Sequence, residues 1–350
     1  MNAYSSEYKD YSGYAAVMIS TDRSIFLENS PARARMIEHA KSYKELHIII
    51  FSLKKFESVN ISDRCIIYST NSLSKLHYVS SARKKGKRIL KKIDKTIPVL
   101  VTCQDPFETG LVGKCLAHAR KNSELMLQLH TDLYSPYFVN LKIGFKNSFL
   151  NIIRLQLSKR ALPQADVIRV VSKKIADSLV EKGIDASRIV VKPIDVDADA
   201  IRNREVSFDL HRKFPQFKKI IVMASRLEAE KNITMALGAM KIVHDRQPDA
   251  GLLIIGSGSM MSSLRKHAYR LKIEASTAFL GWQTDLLPYY KGCDLFLVTS
   301  WYEGYGMTLK EAQIAGCKIV STDAGIAQEI GAEIAGWSVE SIAESILRKL

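Results

Sequence analysis

Two doubly wound, Rossmann-like α/β domains facing one another across a cleft are the fold that this sequence predicts. Three observations lead there. Short β-branched strands alternate with amphipathic helices along the whole chain, a pattern that makes parallel sheets with helices on both faces. The length of 350 residues suits two domains of about 150 residues or more. Periodicity then lapses once, near Val191–Arg204, and that stretch reads as a linker. The boundary is therefore set so that residues 1–195 form the first domain and 196–350 the second.

In the first domain, strands are expected at 15–19, 45–51, 64–68, 98–102, 124–129 and 166–171. A helix at 32–43 carries Ala32, Met36, Ile37, Ala40 and Tyr43 on one face. In the second, strands are expected at 220–224, 251–255, 277–280, 293–298 and 318–321. The helix from Lys231 to about His244 repeats Ile233, Ala236, Leu237, Met240 and Val243 at helical spacing.

Composition excludes several classes. With 47% hydrophobic and 25% charged residues the chain is neither disordered nor collagenous. Apolar runs are far shorter than the roughly 20 residues that span a bilayer. The start, MNAYSSEYKDYSGY, lacks a basic segment followed by an apolar one, so a cytoplasmic protein is expected. Five widely spaced cysteines without a CxxC pair read as unpaired, buried thiols rather than as a disulfide framework or a zinc site.

The net charge of +15 is uneven. Residues 1–200 hold 32 cationic and 20 anionic side chains, and residues 201–350 hold 19 and 16. The densest run, Arg83–Lys95, has eight cations and one acid, with Ile89, Leu90 and Ile93 as a narrow apolar edge. That pattern fits a helix lying on an anionic membrane surface, and equally a solvated helix face. Lys142–Arg160 mixes cations with Ile143, Phe145, Phe149, Leu150 and Ile153 in the same way. No nucleic-acid-binding module is recognisable, so nucleic acid is not an expected partner.

The strongest chemical signal is Ser300-Trp301-Tyr302-Glu303-Gly304-Tyr305-Gly306-Met307-Thr308-Leu309-Lys310-Glu311. It follows the buried strand CDLFLV, and its glycines open a helix. Bare N–H groups there suit a phosphate or a sugar oxygen. Eight helical residues would set Glu303 and Glu311 about 12 Å apart, too far for a catalytic pair but suited to gripping two ends of an extended ligand. A helix-capping acid and an exposed acid would give the same pattern. After the domain's first strand, Arg226 and Lys231 are placed to neutralise a diphosphate. A cation in a helix's first turn opposes the helix dipole, so Lys231 calls for an anionic partner. Each of the two also fits a solvated surface cation.

The segments ASRLEAEKN, LLIIGSGS, FLGW and SWYEGYGMTLKEAQIAGCKIVSTDAG resemble the donor-binding domain of glycosyltransferase family 4, retaining enzymes of GT-B fold. The spacing of Glu303 and Glu311, a glutamate, seven residues and a glutamate, is the most specific mark. The resemblance implies that Arg226 and Lys231 hold the diphosphate of a UDP- or GDP-linked sugar, and that Glu311 binds the ribose. Glu303 and the backbone of Gly304, Tyr305 and Gly306 would hold the donor sugar and its phosphate, with Trp282 and Gln283 near the base.

The first half resembles the family's acceptor domain through QLHTDLYSPYF, which puts His130 after a strand to face the donor sugar. Asp105, in Gln104-Asp105-Pro106-Phe107, is a weaker acceptor-side candidate. The loop after the first strand lacks the family's glycines, so Arg33 or Arg35 would take that contact. Asp195-Val196-Asp197 is expected to be structural, and no metal or other cofactor is expected. Gly256-Ser257-Gly258 is expected to make a strand-to-helix turn. The chain also looks short at its end beside other GT-B proteins.

The function so implied is retaining transfer of a sugar to a hydroxyl of a glycan or lipid-linked acceptor. Its setting would be the inner face of the cell membrane, with the protein peripheral there in envelope polysaccharide or glycolipid synthesis. A sugar-nucleotide epimerase or a non-catalytic scaffold of the same fold is the alternative.

Overall fold

The computed structural model describes residue 4 and residues 8–140 and 145–350; the backbone alone is described for 145–148. The chain forms two compact units. Residues 1–134 with 146–193 make the first, and residues 135–145 with 194–350 make the second.

In the first unit the elements run β1 (Ala15–Ser20), α1 (Pro31–Ala40), β2 (Glu45–Ile50), β3 (Val59–Ser62), β4 (Cys65–Ser69), α2 (Tyr78–Lys92), β5 (Val99–Cys103), α3 (Glu108–Ala117) and β6 (Ser123–Leu129). They continue with α4 (Phe145–Ala161), β7 (Val167–Val170), α5 (Lys173–Glu181) and β8 (Ile189–Val191). The sheet order is β3-β4-β2-β1-β5-β6-β7-β8, parallel except for the β3–β4 hairpin at one edge. Strand order reverses at β1, so the loops after β1 and β5 lie at a switch point. They are tied together there. Gln104 Oε1 accepts from the Thr21 amide and from the Ser20 hydroxyl, both at 2.9 Å.

The second unit runs α6 (Ala198–Asn203), α7 (Leu210–Lys213), β9 (Lys219–Ala224), α8 (Ile233–Arg246), β10 (Ala250–Ile255), α9 (Met261–Arg270) and β11 (Thr277–Gly281). It ends with α10 (Leu287–Gly292), β12 (Leu295–Val298), α11 (Met307–Ile314), β13 (Ile319–Ser321), β14 (Glu333–Ile334) and α12 (Val339–Lys349). The sheet is parallel throughout, in the order β11-β10-β9-β12-β13-β14, and reverses between β9 and β12. Ile221, Leu252, Ile254 and Leu295 of the sheet pack on Ile233, Leu237 and Met240 of α8 and on Ile342 and Ile346 of α12, all buried.

Three departures from the sequence reading have plain causes. The stretch taken as featureless linker begins on the last residue of β8 and contains α6, which is nucleated by Asp197, whose carboxylate accepts from the Ala200 amide at 2.8 Å. The helix expected from Lys231 begins at Ile233, because Asn232 sits at φ +49° and breaks the turn before it. The apolar edge of the basic run does not face outward. Ile89, Leu90 and Ile93 are buried in the first unit, and α2 lies so close to α3 that a Cβ at Gly86 would fall 2.4 Å from Leu116 Cδ1.

The second basic stretch behaves differently. On α4, Phe149, Leu150, Ile152 and Ile153 remain exposed, while Lys142 and Ile143 and the side chains of Phe145 and Lys146 lie outside the described residues. Among the described residues no helix is long and apolar enough to cross a membrane.

Candidate active site in the second unit

Parallel strands deliver their loops at their carboxyl ends, and the reversal between β9 and β12 leaves those two loops side by side. The first loop carries Arg226 and Lys231, the second Glu303, Gly304 and Tyr305. Thr299 holds them in register, its hydroxyl donating to the carbonyls of Lys231 and Asn232 at 3.1 Å, while the Trp301 amide donates to the Glu230 carbonyl at 2.9 Å.

The anionic partner that Lys231 calls for is Glu303. The ammonium lies 2.6 Å from Glu303 Oε1, and both side chains are largely withdrawn from solvent, at 11% and 15% exposure. The Ser300 hydroxyl donates to the same oxygen at 2.7 Å. An ion pair with little solvent around it is costly unless further hydrogen bonds support it, and the Ser300 hydroxyl supplies one here. Glu303 is not a helix cap. Helix α11 starts at Met307, and its capping position is Gly306, at φ +90° with no side-chain bond. That φ is open to glycine and strained for other residues. It follows that Glu303 and Glu311 are not eight helical residues apart; only the stretch from Met307 onward is helical.

Glu311 is no exposed acid either. Its carboxylate accepts a 2.9 Å hydrogen bond from the Tyr290 hydroxyl of α10. Burial pushes the carboxyl above the ordinary carboxylate range, and the Tyr290 bond pulls it part of the way back. Tyr290 is itself raised, by burial first and by the Glu311 charge second.

Arg226 is mostly exposed and paired with Glu230 at 2.9 Å. Tyr305 is buried, with its carbonyl accepting from the Ile326 amide at 3.0 Å. Trp282 is exposed, whereas Gln283 is held by the Leu280 carbonyl at 2.9 Å and the Tyr289 hydroxyl at 3.2 Å. The turn at Gly256–Gly258 abuts the loop after β9, with Leu227 donating its amide to the Ser257 carbonyl; a Cβ at Gly256 would lie 1.9 Å from the Ser225 oxygen. Glu228 secures the same contact by accepting from the Ser259 amide at 2.9 Å and its hydroxyl at 2.6 Å.

Several contributors were not singled out in the sequence. Ser300, Tyr290 and Glu228 act through partners that only the fold supplies. An aromatic stack beside Glu303 is another, with Trp301 parallel to Trp337 at 4.9 Å and Tyr137 against both.

The first unit holds the remaining candidates. His130 follows the carboxyl end of β6 and is exposed there; partial desolvation and then the Arg169 guanidinium hold its pKa below the ordinary value. Its imidazole is therefore neutral at neutral pH. Asp105 is turned onto its own loop, Oδ1 accepting from the Phe107 amide at 2.8 Å, and burial raises its pKa. Arg33 lies in the first turn of α1, its amide capped by the Ser30 hydroxyl, and Arg35 lies two residues on. Among the described residues no cluster of three or more histidine, cysteine or acidic side chains is arranged to hold a metal ion.

Two family profiles match consecutive stretches of the chain. Glycosyltransferase Family 4 matches residues 45–200, and Glycosyl transferases group 1 matches residues 208–350. An uncharacterised glycosyltransferase of Methanocaldococcus jannaschii is 22% identical over 269 residues, covering 75% of this chain and 64% of that protein. The N-acetylgalactosamine-N,N'-diacetylbacillosaminyl-diphospho-undecaprenol 4-alpha-N-acetylgalactosaminyltransferase of Campylobacter jejuni is 26% identical over 179 residues, 51% of this chain and 47% of that one. The matches thus span between about a third and two thirds of the length of such curated relatives. The crystal structure of Anabaena HepE in complex with UDP and glucose superposes with a TM-score of 0.68 at 16% identity, over 95% of this chain and 89% of that one. With the two profiles covering most of the sequence and two parallel-sheet α/β units in the structure, the chain belongs to the group 1, family 4 glycosyltransferases and has the GT-B fold.

Proposed function

We propose that the protein is a retaining glycosyltransferase that moves a sugar from a nucleotide-diphosphate sugar, UDP- or GDP-linked, to a hydroxyl of a glycan or lipid-linked acceptor. The observation that carries this reading is the pairing of Lys231 with Glu303 on two loops at the switch point, with the Tyr290-bound Glu311 on the helix that follows. It is the residue set that a donor with a diphosphate between two sugars requires. Glu311 accepts from the ribose hydroxyls. Lys231 and Arg226 meet the diphosphate, which displaces Glu303 and Glu230 as their anionic partners. Glu303, so released, accepts from hydroxyls of the donor sugar, and the amides of Gly304, Tyr305 and Gly306 add donors to it and to the phosphate. Trp282 and Gln283 border the base.

As the bond from the anomeric carbon to the diphosphate breaks, positive charge grows on the sugar ring and negative charge on the departing oxygen. Lys231 and Arg226 stabilise the latter, an electrostatic contribution of the kind that usually dominates catalysis. The acceptor oxygen attacks from the same face, its proton passing to the departing phosphate oxygen, which leaves the anomeric configuration unchanged. His130 is assigned to the donor sugar, and neutral imidazole suits it to hydrogen bonding there. Arg33, Arg35 and Asp105 are assigned to the acceptor side. The two cations supply the charge that a metal would otherwise provide, so no metal is assigned, and the Asp195–Asp197 pair has a structural role.

A lipid-linked acceptor is supported by the C. jejuni relative, whose name specifies a diphospho-undecaprenol substrate. It is also supported by the cationic first half and the exposed apolar residues of α4. A peripheral position on an anionic membrane and a role in envelope polysaccharide or glycolipid synthesis follow from that acceptor.

Thermal shift with UDP, GDP, ADP and dTDP, on wild type and Glu311→Ala, tests the reading. Ligand at 100 times its Kd adds about 2.7 kcal/mol. A nucleotide response in the wild type that Glu311→Ala abolishes is the expected result; silence across the panel overturns it. NMR of the product's anomeric centre decides retention.

A further inference from the structure

Directly behind Tyr290 stand two thiols whose proximity the sequence does not reveal. Cys293 and Cys317 are 24 residues apart, yet their sulfurs lie 3.8 Å from one another. Topology brings them together. Strands β12 and β13 are parallel neighbours with Phe296 opposite Ile319, and each cysteine stands two residues before its strand begins. Neighbouring strands run about 4.8 Å apart, so the residues that lead into them come within reach of one another. All five cysteines are free; Cys65 and Cys103 are buried, whereas Cys293 and Cys317 are both part-exposed.

Both sulfurs also converge on one backbone oxygen. The Tyr290 carbonyl lies 3.0 Å from Cys317 Sγ and 3.4 Å from Cys293 Sγ. It belongs to the last turn of α10, whose carbonyls lack the usual helical partner. The amide four residues on, that of Asp294, donates instead to the Ile220 carbonyl. Protein S–H groups thus satisfy the residue whose side chain holds Glu311.

We propose that Cys293 and Cys317 form a redox-modifiable dithiol that closes to a disulfide by exchange with a low-molecular-weight disulfide, and that closure loosens the Tyr290–Glu311 contact and weakens nucleotide binding. The first part stands on the thiol geometry; the second rests on the donor-site function proposed above. In the exchange, the Cys317 thiolate attacks one sulfur of the oxidant and expels a thiolate. The Cys293 thiol, on losing its proton, then attacks Cys317 Sγ in the mixed disulfide and expels the second thiolate. Two protein thiols are oxidised to one disulfide, one small disulfide is reduced to two thiols, and the two protons leave with them. Contact with Cys317 and then burial push the Cys293 thiol well up, which slows the closing step. Closure removes both S–H donors from the Tyr290 carbonyl and draws the two strand ends together beneath α10.

The test uses the full chain with oxidised glutathione. Intact mass and thiol counting are expected to show five free thiols falling to three, a loss of two hydrogens, and a peptide linking Cys293 to Cys317. Cys293→Ser and Cys317→Ser are each expected to abolish the link. UDP and GDP titrations should show affinity about five- to tenfold weaker in the oxidised protein, the size of one hydrogen bond, restored by reductant and insensitive to oxidant in both variants. Glutathione adducts without the link, or a link with unchanged nucleotide affinity, overturn the proposal. If the reduced protein binds neither nucleotide, the donor-site function and the coupling fall, and the link alone decides the dithiol.

Discussion

Tyr290 makes the sharpest test at the level of single residues, because it donates to Glu311 without belonging to the nucleotide's own contacts. In the donor site proposed above, Glu311 has to be ionised to accept from two ribose hydroxyls, and burial opposes that. Nucleotide affinity should therefore fall as the pH drops through the raised pKa of Glu311. Tyr290→Phe removes the hydrogen bond that lowers that pKa, so the midpoint should move to higher pH, with affinity at neutral pH reduced about five- to tenfold. Isothermal titration across pH reads both effects; an unmoved midpoint would show that Tyr290 does not tune Glu311. In the nucleotide-free protein the sign is opposite. A carboxyl whose folded pKa exceeds its unfolded one adds stability below the unfolded value and loses it as pH rises through the folded one. Glu303, Glu311 and Lys231 could be picked out as candidates in the sequence, because their spacing after a buried strand is local. Tyr290 was not legible as a site residue, since it reaches Glu311 from another helix, 21 positions away. The pairing of Lys231 with Glu303 spans 72 positions and needed the switch point to become visible.

Helix α2 shows what local pattern conveys about an element and what it leaves out. The alternation of apolar and cationic residues located the helix, yet it could not say whether the apolar edge meets lipid or protein. The structure spends that edge on the core, and Arg120 closes the helix's end by donating to the carbonyls of Leu90, Ile93, Asp94 and Ile97. The exposed cations continue into a depression of about 550 Å³ lined by Lys87, Lys91, Lys95 and Lys121. The two faces should therefore separate by mutation. Ile89→Ala should cost about 2–5 kcal/mol in denaturant unfolding, as large-to-small changes in a core do. Replacing Lys84, Lys87 and Lys91 by Gln should leave stability within about 0.5 kcal/mol while weakening co-sedimentation with anionic vesicles, at about 1 kcal/mol per cation. Unchanged vesicle binding in the triple variant would remove α2 from any membrane contact and leave the exposed Phe149 and Ile153 of α4 to account for one. Buried strands were read well because β-branched runs are unambiguous when both faces are covered. Strand β3, whose residues are exposed or half-buried, and the two-residue β14 carry too little pattern to be read.

At the scale of the whole chain, the two units differ in charge and in the chemistry assigned to them, and each has a core of its own. Ile48, Ile67 and Leu100 anchor one, and Leu237, Leu252 and Ile342 the other. Arg226, Lys231, Glu303 and Glu311 all belong to the second unit. A nucleotide without its sugar should therefore stabilise that unit selectively. Calorimetry is expected to resolve two transitions, of which saturating UDP or GDP raises one. At 100 times Kd the gain of about 2.7 kcal/mol corresponds to a shift of roughly 5–11 °C for a unit of this size. Gly251→Ala identifies the transition independently, since a Cβ there would sit 2.3 Å from the Phe217 ring within the second unit. Such overpacking costs about 1–3 kcal/mol, so the same transition should fall by several degrees while the other stays in place. Two transitions that both rise with nucleotide would place part of its binding energy in the first unit. A single transition moved by ligand and by mutation alike would mean that the two cores unfold as one cooperative body, and that binding at the β9–β12 switch point is felt throughout the chain.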